Sequence, residues 1–429
     1  MRTEKKYSNS NWKRLKIAWL FEDISSGTTP SSTNEEYYRD GEIPWVNTGD
    51  LTDGKLFSVS KKISRKAIAD YPTLKVHSKN SLIVALYGAT IGKLAITQFD
   101  VTTNQACCVL NKPKNVDINF VFYWFLANRE GIIQRAVGGG QKNISQGIIR
   151  SLRMDVPNAP LQNKIISFLD QKTSEIDALI TDKEKLIRLL EEKRQAIITE
   201  AVTKGLDPDV KMKDSGVEWI GEIPEHWKMR KAKYIFKQIN EKNYPEEKLL
   251  SVLKGKGLLL RSELEFKAVM AFKGLENFKL VREGDFVIHL RSFQSGFEMS
   301  SLQGIVSPAY TVFRASIELD NNYFKYVFYS QYFIDYIGST TQSLRDGKPI
   351  AYDDFSSSYL MFPPEKEQKE ISDYLASLCK EMDKAKELIQ KQLLKLKEYR
   401  QALIYEAVTG KIDVQEMLKE TEQEEVSSS

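Results

Sequence analysis

Two stretches of the chain, each of about 45 residues, contain neither proline nor glycine and repeat apolar residues at alternating spacings of three and four. The first follows PNAP at Pro157, and the second follows FPPE at Phe362. Such spacing is the heptad pattern of helices that pair along one narrow seam. The pattern therefore predicts two long helices, over residues 158–205 and 363–410, that pair as a coiled coil.

The predicted seam is mostly apolar, with Lys183, Lys193 and Gln392 as polar members. A polar seam residue can fix the register of a coiled coil at some cost in stability. We expect antiparallel pairing, because a parallel pair would require the whole second domain to double back. The apolar residues predicted to pair the helices are Ile176, Leu179, Leu186, Leu190, Ile197, Met382, Ile389, Leu396, Tyr399 and Leu403.

The chain also repeats itself. RQAIITEAVT at Arg194 recurs as RQALIYEAVT at Arg400, an offset of 206 residues. NWKRLKIAWLFEDI at Asn11 resembles HWKMRKAKYIFKQI at His226, and weaker similarity links the segments around Gly92 and Gly296. Self-similarity at a fixed period indicates repeated structural units. The chain is therefore interpreted as two copies of one unit, each a variable domain followed by a better-preserved helix.

The segments outside the helices alternate β-rich runs, such as LIVALYGATIGKLAI at Leu82, with short apolar helical patterns. This mixture predicts a mixed α/β (α+β) fold. We expect a first variable domain over residues 1–157 and, after the central helix at 158–205, a second over 206–362 that begins with a linker. The C-terminal helix over 363–410 is followed by an acidic tail, 411–429, expected to be disordered.

The net charge of +4 is unevenly distributed. Residues 1–155 carry about +8 and residues 226–348 about +6, whereas residues 361–429 carry about −4. Two basic lobes suit a polyanion such as nucleic acid, although moderately basic domains can also be merely soluble. With three cysteines and no long apolar stretch, the chain is expected to be reduced, cytoplasmic and free of membrane spans.

Motifs for catalysis are missing from the sequence. The three histidines have no metal-ligand spacing with the cysteines, and YGATIGKL at Tyr87 lacks the spacing and the Ser or Thr of a phosphate-binding loop. Neither an adenine-methylation motif nor an S-adenosylmethionine fingerprint occurs. We therefore expect no catalytic residue, metal or cofactor in this chain. A protein-binding coiled-coil scaffold and a self-contained DNA-modifying enzyme remain the alternatives.

Loops that combine basic, amide and aromatic side chains are candidates for DNA contact, because Lys and Arg bind phosphates while Arg, Gln and Asn can read base edges. Such loops occur at matching places in both copies. GGGQKNIS at Gly138 aligns with LRDGKPIA at Leu344, and the Tyr87 loop aligns with RSFQS at Arg291. The candidate residues are Tyr87, Lys93, Gln141, Lys142, Asn143, Arg291, Ser292, Gln294, Arg345 and Lys348.

SGVEWIGEIPEHW, from Ser215 to Trp227, closely resembles the start of a target recognition domain in the specificity subunits of type I restriction-modification enzymes. The resemblance extends over the whole chain and includes its duplicated layout. Each helix is entered by a proline and then a glutamine, and each ends in EAVT with a glycine one or two residues later. These residues are Pro157 and Gln162, Pro363 and Gln368, Glu200 and Glu406.

The resemblance implies that each variable domain reads one half of a bipartite site in double-stranded DNA, while the helices set the spacing between the halves. It also implies two modification (methyltransferase) subunits, which bring S-adenosylmethionine, and restriction subunits, which bring ATP-driven translocation with Mg. All catalysis would then belong to these partners. The bases recognised do not carry over from relatives of other specificity.

Overall fold

The computed structural model describes residues 12–137, 142–218, 220–264, 274–289, 296–340 and 350–417. It divides into two compact units, one formed by residues 1–183 with 391–429 and the other by residues 184–390. The division falls within two long helices, so each unit contains one globular domain and part of both helices. Within the described ranges, no helix is long and apolar enough to cross a membrane.

The globular part of the first unit is a mixed α/β domain. Its strands are β1 (Lys13–Lys16), β2 (Phe21–Ser26), β3 (Ile43–Val46), β4 (Gly54–Leu56), β5 (Lys62–Ile63), β6 (Leu82–Ala85), β7 (Leu94–Thr97), β8 (Thr102–Thr103), β9 (Cys107–Pro113) and β10 (Arg153–Val156). Its helices are α1 (Ile17–Leu20), α2 (Arg65–Asp70), α3 (Ile118–Gln134) and α4 (Gln146–Ser151). A five-stranded sheet has the order β2-β9-β6-β7-β4, a smaller one the order β5-β3-β8, and β1 pairs with β10.

The core of this domain lies between the larger sheet and α3. All four residues of β6 and of β7 are buried, as expected for central strands covered on both faces. Helix α3 begins where the Asp117 side chain accepts a hydrogen bond from the backbone N–H of Asn119, and it then buries Phe120 to Leu126. Cys107 and Cys108 lie in β9 as small buried residues, which agrees with their apolar sequence context.

The long central helix, α5 (Ala159–Lys204), leads into the second domain. The strands of that domain are β11 (Met212–Asp214), β12 (Glu222–Pro224), β13 (Lys228–Lys231), β14 (Phe236–Ile239), β15 (Leu250–Leu253), β16 (Gly257–Leu260), β17 (Lys279–Val281), β18 (Phe286–Ile288), β19 (Phe297–Met299), β20 (Gly304–Val306), β21 (Thr311–Ala315) and β22 (Tyr359–Phe362). Its helices are α6 (Asn321–Tyr329), α7 (Gln331–Thr340) and α8 (Tyr352–Ser357), and the chain continues into the second long helix, α9 (Glu365–Val408).

The main sheet of the second domain has the order β14-β21-β18-β19, with separate strand pairs β11-β12, β13-β22, β15-β16 and β17-β20. Its core is dominated by phenylalanine. Phe236 meets Phe313 edge to face with 5.4 Å between ring centroids, and Phe286 stacks on Phe313 at 5.3 Å. Such arrangements add to the free energy gained from burying the rings.

One frame, made of a strand pair and the entry to a long helix, recurs in both units. In the first, β1 pairs antiparallel with β10, and in the second β13 pairs in the same way with β22. After the proline that precedes each long helix, a buried glutamine completes this frame through two hydrogen bonds. The Gln162 amide donates to the Pro157 carbonyl at 2.9 Å and accepts from the Asp117 N–H at 2.8 Å. Gln368 does the same with Pro363, at 2.8 Å, and Asp320, at 3.0 Å, so the predicted tandem architecture is confirmed.

Helices α5 and α9 pack together, and the predicted antiparallel pairing is confirmed within each unit. In the first unit Asp177 binds Arg400 at 2.8 Å, and in the second Arg194 binds Asp383 at 2.8 Å. These two ion pairs are equivalent under the 206-residue repeat. Lys183 donates to Gln392 at 2.8 Å, so two polar residues of the predicted seam bind each other.

Each globular core is completed by both helices. In the first unit, Ile165 and Leu169 near the start of α5 share a hydrophobic cluster with Ile404 and Val408 near the end of α9. In the second unit the roles are exchanged, and the end of α5 packs with the start of α9. The buried residues that the two helices contribute to that second cluster are Ile198, Ala201, Val202, Ile371, Leu375 and Cys379.

Three of the predicted seam residues are exposed, namely Leu179 at 50%, Leu186 at 44% and Tyr399 at 55%. Ile180 and Ile187, one residue after the first two, are half-buried. Because apolar residues are adjacent in the sequence here, two apolar faces one residue apart are possible along the helix. At 3.6 residues per turn, the face that continues from the buried start of α5 is the one that is buried. The other predicted seam residues are buried or half-buried, namely Ile176, Leu190, Ile197, Met382, Ile389, Leu396 and Leu403.

Candidate nucleic-acid interface

In the first unit, two segments chosen from the sequence lie side by side at the end of β6. Tyr87 forms an antiparallel bridge with Asn143, and the backbone N–H of Ile144 donates to the Leu86 carbonyl at 2.8 Å. Asn143 also exchanges backbone hydrogen bonds with Val137, both at 3.1 Å. The structure therefore brings the β6–β7 loop and the segment at residue 142 together, although they are far apart in the sequence.

The side chains at this junction are available to solvent. Tyr87 is half-buried, while Lys93, Lys142 and Asn143 are exposed. They offer an aromatic face, two cations and an amide, which are suitable groups for phosphates and base edges. Gln141, the remaining candidate of this unit, lies outside the described residues.

The β6–β7 loop is held tightly against α3. Gly92 has a φ of +78°, and a Cβ placed there would lie 3.1 Å from the Ile133 side chain and 3.2 Å from that of Arg129. Arg129 in turn donates to Asp53 at 3.0 Å, and the Asp53 carboxylate accepts from the Leu94 N–H at 2.9 Å. Glycine is needed here both for the backbone conformation and for the close approach.

Arg129 and Asp53 are part of this site but are not among the residues predicted from the sequence. They are 76 residues apart in sequence and follow no motif, so their pairing depends on the fold. Both side chains are partly buried, at 28% and 29% exposure. Their role in the site is to support the β6–β7 loop, because the Arg129–Asp53 pair joins α3 to β7, the strand that follows this loop.

In the second unit, the candidates Arg291, Ser292, Gln294, Arg345 and Lys348 lie outside the described residues. His289 and Gly296, on either side of the first of these segments, are described. The backbone N–H of His289 donates to the Gly296 carbonyl at 3.1 Å, and β18 and β19 pair antiparallel below them. His289 and Gly296, which flank this segment in the sequence, therefore lie at the tip of a strand pair, as do the residues that flank the Tyr87 loop of the first unit.

The titratable groups of the described residues do not resemble a nucleophile or a metal centre. Burial raises the pKa of Cys107 and of Cys108 to about 12, so both thiols stay protonated at neutral pH. Burial also lowers the pKa of His77, which keeps its imidazole neutral. Across the described ranges, no group of three or more His, Cys, Asp or Glu side chains is placed to hold a metal ion.

Comparisons with known proteins agree with this architecture. The family described as "Type I restriction modification DNA specificity domain" matches residues 9–189. The MjaIX specificity subunit of Methanocaldococcus jannaschii, a type I restriction enzyme component, is 22% identical over 95% of both chains. The EcoR124I/EcoR124II specificity subunit of Escherichia coli is 24% identical over 34% of this chain and 37% of its own length.

Solved structures resemble the chain over nearly its whole length. A chain from a study of complex assembly and conformational transition in the type I restriction-modification system has a TM-score of 0.68 at 14% identity, covering 94% of this chain and 98% of that one. The HsdS subunit from Thermoanaerobacter tengcongensis has a TM-score of 0.51 at 14% identity, covering 96% and 100%. Together with the family match over residues 9–189 and the internal repeat, they show that this chain is similar in sequence and in fold to type I restriction-modification specificity subunits.

Proposed function

We propose that the first domain, residues 1–157, reads one half of a bipartite site in double-stranded DNA and that the second, residues 206–362, reads the other. The observation that carries this proposal is the recurrence of one frame, made of a strand pair and a glutamine-closed helix entry, in two domains whose aligned loop sequences differ. A common frame with different loops suits two readers of different sequences. In the first domain we assign contact to Tyr87, Lys93, Lys142 and Asn143, and to Gln141.

In the second domain we assign DNA contact to the aligned positions, which are Arg291, Ser292, Gln294, Arg345 and Lys348. The paired helices would fix the distance between the two half-sites. This role is supported by the equivalent ion pairs Asp177–Arg400 and Arg194–Asp383, which hold one register in both units. A rigid connection between two readers sets the spacing of their half-sites geometrically.

Two modification subunits are proposed as partners, one for each repeat, in a cytoplasmic complex that restriction subunits join. The repeat places an exposed aromatic residue at the same position of each frame. Trp19 is 60% exposed with the Lys16 ammonium 5.6 Å from its ring centre, and Tyr234 is 64% exposed with that of Lys233 at 5.1 Å. Exposed aromatic side chains are common anchors in protein interfaces. S-adenosylmethionine, ATP and Mg would be bound by these partners.

The DNA proposal is tested with the chain assembled with its modification subunits. Binding of DNA that contains the methylated site is measured against salt concentration for the wild type, Lys142→Gln and the control Lys185→Gln on α5. Loss of one phosphate contact should reduce the slope of log affinity against log salt by about 0.9 for Lys142→Gln alone. Equal slopes for all three would remove Lys142 from the interface, and salt-independent binding by the wild type would contradict the proposed function.

The partner proposal is tested by counting modification subunits per chain with native mass spectrometry. Trp19→Ala and Tyr234→Ala should each weaken one of two binding positions, and the double variant should weaken both. Phe57→Ala, which removes an aromatic residue that is 75% exposed outside the repeated frame, is the matched control. Two copies retained by the double variant at wild-type affinity would show that these aromatic residues are not the anchors.

A further inference from the structure

A basic turn in the second unit has an unusually well-defined conformation. Lys254, Gly255 and Lys256 join β15 to β16, and both lysines are exposed. Gly255 has a φ of +70° and Gly257 a φ of +76°, a region that residues with a Cβ rarely adopt. A Cβ on Gly257 would lie 3.0 Å from the Met299 carbonyl oxygen. The turn is therefore packed closely onto the backbone of β19.

A buried carboxylate holds this turn from the inside. The Glu298 side chain is 2% exposed, and it accepts hydrogen bonds from the backbone N–H groups of Gly255, at 2.5 Å, and Gly257, at 3.0 Å. The Tyr329 hydroxyl donates to the same carboxylate. Burial raises the pKa of Glu298, whereas these hydrogen bonds lower it. Burying a carboxylate is costly, and three donors offset part of that cost.

The turn lies near His289, which precedes the proposed DNA-contact segment in the sequence. His289, at the end of β18, has its Nε2 3.9 Å from a Glu298 oxygen. Burial first, and then the nearby positive charge of Lys254, lowers the pKa of His289. His289 and Gly296 flank the candidates Arg291, Ser292 and Gln294. The turn that carries the two lysines is therefore close to a residue that borders the proposed DNA-contact segment in the sequence.

We infer that Lys254 and Lys256 bind backbone phosphates of the half-site read by the second domain, and that Glu298 is the positioning residue that fixes their turn. This inference rests on the proposed function. Within the described parts of the chain, neither lysine has a carboxylate at salt-bridge distance, so both charges are available to a polyanion. Phosphate contacts orient a reading domain on the duplex without selecting bases.

The first experiment measures DNA affinity against salt for the complex of the chain with its modification subunits. Lys254→Gln with Lys256→Gln should reduce the log–log slope by about 1.8, since each phosphate contact contributes about 0.9. The methylated sequence should stay unchanged. Lys380→Gln with Lys384→Gln, a matched pair of exposed lysines on α9, should keep the wild-type slope.

Three results would overturn the inference. An unchanged slope would mean that the lysines do not bind phosphates, and an altered methylated sequence would mean that they read bases. Impaired assembly with normal DNA binding by the complexes that do form would make the turn a protein contact. If the wild-type complex itself bound no DNA site, the proposed function would fail first, which separates the two failures.

The second experiment tests positioning. Glu298→Gln keeps the shape of the side chain, but the amide has one acceptor oxygen where the carboxylate has two, so it cannot accept from both glycine N–H groups. The substitution should therefore weaken DNA binding and reduce the slope of log affinity against log salt. In the background of the double lysine variant it should have no further effect on the slope, because it acts through those lysines. If Glu298→Gln reduced the salt dependence of DNA affinity further in the double lysine variant, Glu298 would have only a folding role. The same would follow if it lowered the melting temperature but kept the wild-type salt dependence. Tyr329→Phe, which removes one donor, is the fallback if Glu298→Gln does not fold.

Discussion

Shortening both long helices by one heptad should shorten the DNA spacer. The ion pairs Asp177–Arg400 and Arg194–Asp383 define a register in which residues 184–190 face residues 387–393. Deleting both segments removes Lys183's partner Gln392 but keeps the two ion pairs and the buried ends of the helices. Seven residues correspond to about 10.5 Å of helix and leave the helix faces rotated by only about 20°.

At about 3.4 Å per base pair, this change in length corresponds to about three base pairs of B-form DNA. We therefore expect a spacer two to three base pairs shorter between unchanged half-sites. Three base pairs also turn the duplex by about 100°, given roughly 10.5 base pairs per turn, so the variant should bind its new site less tightly than the wild type binds its own.

The assay is sequencing of methylated adenines in a host that carries the complete system with either chain. Deleting residues 184–190 alone is the control, because it shifts the register of the helix pair and should lower stability and abolish specific methylation. An unchanged spacer in the double deletion, with methylation retained, would refute the idea that the helices measure the distance. Altered half-site sequences would show that the helices also take part in reading.

Three further outcomes follow from the structure. Asp177→Arg or Arg400→Asp alone should destabilise the helix pair by about 0.5–1 kcal/mol, because these groups are partly exposed, and combining them should restore much of the loss in denaturant titrations. Gly92→Ala should lower the free energy of unfolding by about 1–2 kcal/mol and weaken DNA binding. Gly131→Ala, with open space around its Cβ in α3, should leave the free energy of unfolding unchanged or raise it by up to about 1 kcal/mol. Equal effects of the two substitutions would contradict the packing at Gly92. Burial lowers the pKa of His77 below its ordinary 6.5, so its neutral form stabilises the fold above that pH and this stability is lost as pH falls below it. His77→Gln should therefore flatten the fall in melting temperature between about pH 7 and about pH 5.5, and an unchanged pH profile would exclude this role.

The architecture could be predicted because it depends on patterns that persist over long stretches of sequence. Helices free of proline and glycine and a repeat of 206 residues need no knowledge of tertiary contacts. The glutamines at 162 and 368 were visible as repeated residues, and the structure explains them as buried side chains that satisfy a proline carbonyl and a helix-entry N–H. Local and periodic signals were sufficient at this level.

The exact seam could not be predicted, since Leu179 and Ile180 fit a heptad equally well and only packing against the domain core selects between them. The supports of the candidate site were equally hidden. Glu298 looks in sequence like an exposed strand residue, yet the fold places it beneath Gly255, 43 residues away. Arg129 and Asp53 are likewise joined only by the fold. These interactions depend on topology, which residue patterns do not encode directly.

The sharing of each core by both helices has a consequence for the order of folding. Ile404 and Val408, near the end of α9, belong to the same hydrophobic cluster as Phe120 and Ile165. During synthesis the ribosome must therefore release almost the whole chain before the first domain can bury its last apolar surface. The second domain uses α5 and the start of α9, so it can close earlier. We expect the domain that is made first to become fully protected from proteolysis last.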